Sequence, residues 1–144
     1  MFKTCFTLFF LYCTACFLFI NETYARPSIA YEWMDYYPDS NSDDNIKKAT
    51  GTTCQLCHAS SDGGNSYNPY GWKLKGLGAL DNPTKAFKMT EDFNSDKDSK
   101  VQSNLKEIKN GSQPGWRKSS KNRIYSDGGE VSYSSPPDGL TNPD

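Results

Sequence analysis

Histidine occurs once in the 144 residues, at position 58, and neither sign of charge is in excess: 16 Lys and Arg face 17 Asp and Glu, for a formal net charge of -1. A single histidine excludes a metal held between two histidines of the same chain. Balanced charge removes the electrostatic basis for a nucleic-acid partner. Beyond residue 25, Leu, Ile, Val and Phe occupy only 14 positions, little material for an ordinary core. Cysteine is scarce there as well: Cys5, Cys13 and Cys16 lie in the first 20 residues, which leaves Cys54 and Cys57. A zinc site built from four Cys or His ligands is therefore out of reach.

The N-terminus differs in kind from the rest. Met1-Phe2-Lys3 leads into an apolar run from Cys5 to Ile20, followed by polar Asn21 and Glu22 and then Thr23-Tyr24-Ala25. A short apolar run of this type ending in small residues is the pattern of a cleaved export signal. The reading is a signal peptide at 1–25, cut after Ala25, on a protein that works in the periplasm or outside the cell. The run falls short of the roughly 20 residues needed to cross a bilayer, so no membrane span is expected after cleavage.

Cys54-Gln55-Leu56-Cys57-His58 places two thiols three residues apart, with the only histidine next to them. This C-x-x-C-H spacing is the signature of covalent c-type haem attachment. On one helical turn Cys54 and Cys57 share a face and can form thioethers to one edge of a porphyrin, while His58 turns its imidazole towards the iron. A thioredoxin-like pair would need a βαβ context that is not evident; a local disulfide is the plain alternative. A bound macrocycle would also supply the apolar mass that the composition lacks.

With bis-histidine coordination excluded, the iron's sixth position falls to a methionine, another group or none. Met89, 31 residues after His58, is preferred over Met34, which lies before the motif. Either methionine could equally be core filling.

Around the motif, AYEWMDYYPDS (30–40) concentrates aromatics that would pack on a haem face or in any small core, and SNSDDN (40–45) reads as an exposed loop. Gly63-Gly64 reads as a turn. Asn68-Pro69 and Asn82-Pro83 read as helix starts with Pro in the first helical position, the first helix running to Gly76 or Gly78. The second carries Ala86, Phe87 and Met89 inward. From Asp96, the spacing Asp96, Asp98, Lys100, Gln102, Asn104, Glu107 follows the oxygen-ligand positions of a calcium loop. Lys100 stands where a carboxylate is expected and Val101 where glycine makes the turn, so an acidic capped turn without metal outweighs a weak calcium site at Asp96, Asp98, Asn104 and Glu107. A helix follows from near Ser103 and stops at Gly111.

From Ser112 on, the chain is rich in Ser, Gly and Pro without helical period. It reads as an extended arm in which Ile124-Tyr125 and Val131-Tyr133 touch the body as a short hairpin. Arg117, Lys118, Lys121 and Arg123 form a basic cluster that would dock an acidic partner or simply be solvated.

The order C-x-x-C-H, Gly-Gly, NPYGWKLK, an aspartate-rich loop ending SNLKEI, then GSQPGW resembles exported bacterial monohaem proteins. In these a cytochrome c-like segment precedes a calcium-loop-like D-x-D...S-N-x-x-E-I element. The resemblance covers about residues 30–116. It implies covalent haem c, helices around the haem and an irregular C-terminal part.

The expectation is thus a mostly α, small, loop-rich cytochrome c-like domain at 26–111, with a degenerate calcium-loop element at 94–108 and an irregular arm at 112–144. Its work would be single-electron transfer with redox partner proteins. The rivals are a gas- or peroxide-reactive haem protein with an open distal site, and a haem-bearing subunit that self-assembles through the arm. No second histidine is present to serve peroxide chemistry.

Overall fold

The computed structural model describes residues 26–97, 102–117 and 121–140. Residues 1–25, read above as a signal peptide, together with Asp98, Lys100, Val101 and Lys118, lie outside them. Five α-helices and one hairpin are present among the described residues: α1 Pro27–Tyr36, α2 Ser42–Thr50, α3 Pro69–Gly76, α4 Pro83–Thr90, α5 Asn104–Lys109, β1 Asn122–Ser126 and β2 Gly129–Ser134. A 3₁₀ turn, Cys54–Leu56, sits between α2 and α3. No helix among the described residues is long and apolar enough to cross a membrane.

The helix starts follow local chemistry. Asn68 and Asn82 cap α3 and α4 by accepting from the Gly71 and Lys85 amides, each with Pro entering the first turn. Ser103 does the same for α5 through the Lys106 amide. The segment read as an exposed loop at 40–45 instead opens α2. Asp43 and Asp44 occupy its first turn and Lys47 and Lys48 its last, complementing the helix dipole, and Gly51 ends it at φ 79°.

Large aromatic rings share the core with a few aliphatic side chains. Trp33, Tyr70, Phe87 and Trp116 are each at most 1% exposed, joined by Ile46 and Ile108. Trp33 Nε1 donates to the Tyr70 hydroxyl at 3.0 Å, which satisfies the indole at its buried end. Large rings therefore contribute much of the apolar mass buried among the described residues.

Buried carboxamides do the rest. Asn68, Asn104, Gln113 and Asn122 are all 1% exposed or less. A carboxamide both donates and accepts, so it can tie irregular backbone that no ladder satisfies. Gln113 Nε2 donates to Ser42 O at 2.6 Å, and Ser42 Oγ donates to Ser112 O at 2.6 Å. Asn122 Oδ1 accepts from the Arg117 amide at 2.8 Å.

These bonds correct the boundary expected at Ser112. Residues 112–116 are buried against α2 and the motif turn, so the first part of the arm is body. The hairpin forms where expected, antiparallel, with Ile124 opposite Ser132 and an irregularity between Ile124 and Tyr125. Ile124 is buried, and Tyr125 exchanges backbone hydrogen bonds with Tyr67, 2.9 Å each way. The hairpin is therefore fastened to the segment that follows the motif.

Candidate functional site

The C-x-x-C-H segment folds as one tight turn. The amides of Cys57 and His58 both donate to Cys54 O, at 3.1 and 2.9 Å, and Leu56 N donates to Thr53 O at 3.0 Å. In a 3₁₀ turn, side chains three apart eclipse one another, which aligns Cys54 with Cys57. Neither cysteine is in a disulfide; both residues are half-buried, with Cys57 packed against the core. Thr52 Oγ1 accepts from the Cys54 amide at 3.2 Å and closes the entry to the turn.

The turn's outward carbonyls are held by residues distant in sequence. Asn68 Nδ2 donates to Leu56 O at 3.0 Å and to Gln55 O at 3.3 Å. The Asn68 amide donates to Cys57 O at 3.0 Å. Trp116 Nε1 donates to Gln55 O at 2.6 Å. Every carbonyl from Cys54 to Cys57 thus has a donor. Two glycines allow this approach: a Cβ on Gly71 would lie 2.0 Å from Cys57 O, and one on Gly115 would lie 2.4 Å from Asn68 Oδ1.

His58 leaves the turn into a short bridge with Tyr67, reversed through Gly63 and Gly64 at φ 77° and 76°. Its ring lies 4.8 Å from that of Tyr67, at 36°. Beyond it Trp72 stacks on Tyr125 at 5.5 Å and 6°, while Lys75 sits over the Tyr67 ring and pairs with Asp127. Nδ1 of His58 is buried without a hydrogen-bond partner.

Burial lowers the His58 pKa from its ordinary 6.5; the Gly64 and Ser66 carbonyls oppose this and Lys75 adds to it. Burial pushes the Cys57 thiol up to about 12, with Cys54 adding to the effect. Such a thiol remains protonated, unlike the thiolate of a redox-active C-x-x-C pair.

The histidine shift has a measurable consequence. A base whose folded pKa is depressed contributes stability above its unfolded pKa and loses it as pH falls through the folded value. The haem-free chain should therefore lose stability as pH drops below about 6.5. His58→Gln should flatten that part of the profile in urea melts from pH 7.5 to 5; an unchanged profile would remove His58 as its source.

The structure places the other sequence candidates differently. Met89 lies on α4 but is 47% exposed, whereas Ala86, Phe87 and Thr90 are buried. At 100° per residue it falls roughly 100° from the centre of that buried face, which corrects its expected inward orientation. Met34 is partly buried against the core.

In the calcium-like segment Asp96, Asn104 and Glu107 are buried. Asn104 commits its carboxamide to the chain: Nδ2 donates to Thr90 O at 2.7 Å and Ser95 Oγ at 2.9 Å, and Oδ1 accepts from Ser95 N at 3.1 Å. Among the described residues no group of three or more His, Cys, Asp or Glu is arranged to hold a metal ion. A cavity of about 290 Å³, lined by Asn45, Lys48, Ala49 and Gly139, includes none of the motif residues.

Asn68, Gly71, Gly115 and Trp116 were not singled out as site residues from the sequence. The available signal was the pair of glycines at NPYG and PGW, each beside a residue that binds the turn. Two cysteines free of a disulfide on one turn, the chain's single histidine next in sequence, and a backbone fixed from outside together fit thioether attachment of a haem.

No family model, no curated protein and no solved structure matches this chain.

Proposed function

We propose that the chain is an exported, cytochrome c-like protein carrying one haem c through Cys54, Cys57 and His58, and that it transfers single electrons. The observation that carries this reading is the motif turn, with both cysteines free of a disulfide and the carbonyls from Cys54 to Cys57 all held. Cys54 and Cys57 would each hold the haem through a thioether, a link that needs no external oxidant or reductant. His58 supplies the imidazole from the same segment. Haem bound there supplies a one-electron Fe(III)/Fe(II) couple whose potential depends on axial ligands and burial.

The protein's part is to fix that geometry. Asn68 and Trp116 hold the turn from behind, and the Tyr67 bridge aims the segment that leaves His58.

A second reading follows from Met89. Its exposure on α4 favours a sixth position not filled by that side chain, as in a gas- or peroxide-reactive haem protein. The visible spectrum of protein coexpressed with haem-attachment machinery, with and without carbon monoxide, separates the two. A low-spin spectrum indifferent to the gas supports electron transfer; a high-spin spectrum that shifts with it supports the open site and overturns the carrier reading.

A further inference from the structure

We infer that Asn68 is the positioning residue of the attachment turn, acting through its side-chain N–H groups and independently of its role as a helix cap. Its carboxamide has two separable duties. Oδ1 accepts from the Gly71 amide at 2.9 Å and caps α3. Nδ2 donates to the Leu56 and Gln55 carbonyls at 3.0 and 3.3 Å and so holds the turn between the two cysteines.

The site is built closely around this residue. Asn68 is fully buried, and any side chain at Gly115 would run into its carboxamide at 2.4 to 2.6 Å. Trp116, next in sequence, reaches the same Gln55 carbonyl at 2.6 Å. A 3₁₀ turn has poorer hydrogen-bond geometry than an α-helix, so external donors decide how firmly Cys54 and Cys57 stay aligned. Thioether formation at both sulfurs needs that alignment twice on one rigid ring. The consequence for attachment rests on the haem reading above; the mechanical part does not.

Asn68→Asp separates the duties. Aspartate caps a helix as well as asparagine does and keeps the acceptor for Gly71, but it donates nothing and sets a carboxylate against two carbonyl oxygens. The cap survives and the clamp fails.

In the haem-free Asn68→Asp chain, amide exchange at Cys57 and His58 should quicken roughly tenfold, with the helical circular dichroism retained. In chains coexpressed with haem-attachment machinery, the share carrying two thioethers should fall severalfold in favour of single attachment, read from intact mass and the reduced haemochrome band after denaturation. Unchanged exchange and unchanged double attachment would overturn the inference. Should Asn68→Asp not fold, Asn68→Ser decides, since serine also caps a helix but brings no carboxamide N–H to Leu56 and Gln55: faster exchange at Cys57 and His58 supports the clamp, and unchanged exchange sinks it. Wild-type protein that takes no covalent haem would refute the haem reading alone, with the exchange comparison still judging the clamp.

Discussion

Replacing both Cys54 and Cys57 with alanine is expected to leave a folded chain that carries no covalent haem. The fold should survive because neither cysteine is in a disulfide. Removing the Cys57 sulfur, which packs against the core, should cost about 1 to 2 kcal/mol, within the range of ordinary point mutations. The turn itself is made by backbone bonds to Cys54 O and by the outside donors, none of which uses a thiol. Attachment should nevertheless vanish, since Cys54 and Cys57 are the only cysteines from Arg26 onward. The single variants should each retain one thioether and one vinyl, which shifts the reduced haemochrome band to longer wavelength. Haem that stayed with the denatured double variant would end the assignment of these two residues.

Gly71→Ala is expected to cost about 3 to 5 kcal/mol, which joins overpacking to the loss of two or more hydrogen bonds. The added methyl would meet backbone atoms only: Cys57 O at 2.0 Å, its carbonyl carbon at 2.7 Å and its Cα at 2.9 Å. No side-chain rotation relieves such a contact, so α3 must back away from the motif turn. That movement breaks the Asn68 bonds to Gln55, Leu56 and Cys57. Helix propensity runs the other way, since alanine is favoured over glycine by about 1 kcal/mol in a helix. The glycine is kept against that preference by its neighbour across the interface.

Gly76→Ala on the same helix is the control. Its Cβ would meet nothing within 4 Å, and it should be neutral or stabilising by up to about 1 kcal/mol. Urea melts of both variants read the difference. Near-equal stabilities would mean that α3 does not seat on Cys57 as described.

Much of this was readable because it is local. Asn68-Pro69, Asn82-Pro83 and Ser103 declare helix starts within four residues, and each falls where those signals put it. The turn from Cys54 to His58 is equally local, three side chains within five positions. The acidic start and basic end of α2 were also visible, yet a polar run, SNSDDN, resembles a loop when only composition is weighed.

What escaped the sequence is long-range. Trp116 meets Gln55 across 61 positions and Gln113 meets Ser42 across 71, in a stretch whose Ser, Gly and Pro content suggests no core at all. Asn68 was legible as a cap but not as a clamp, because the second duty depends on carbonyls 12 and 13 residues earlier. Met89 was assigned inward by its chain order after His58, which carries no information about the face of α4 on which it lies. Scarcity of Leu, Ile, Val and Phe did not show that large rings would be buried together with four carboxamides that tie irregular backbone.

The most direct test is the intact mass of the denatured protein, secreted from cells that express haem-attachment machinery. The expected result is a chain beginning at Arg26, heavier by one haem, with the added mass localised by proteolysis to the peptide containing Cys54 and Cys57. A chain at its unmodified mass, with those cysteines as free thiols or as a disulfide with each other, would contradict the haem assignment.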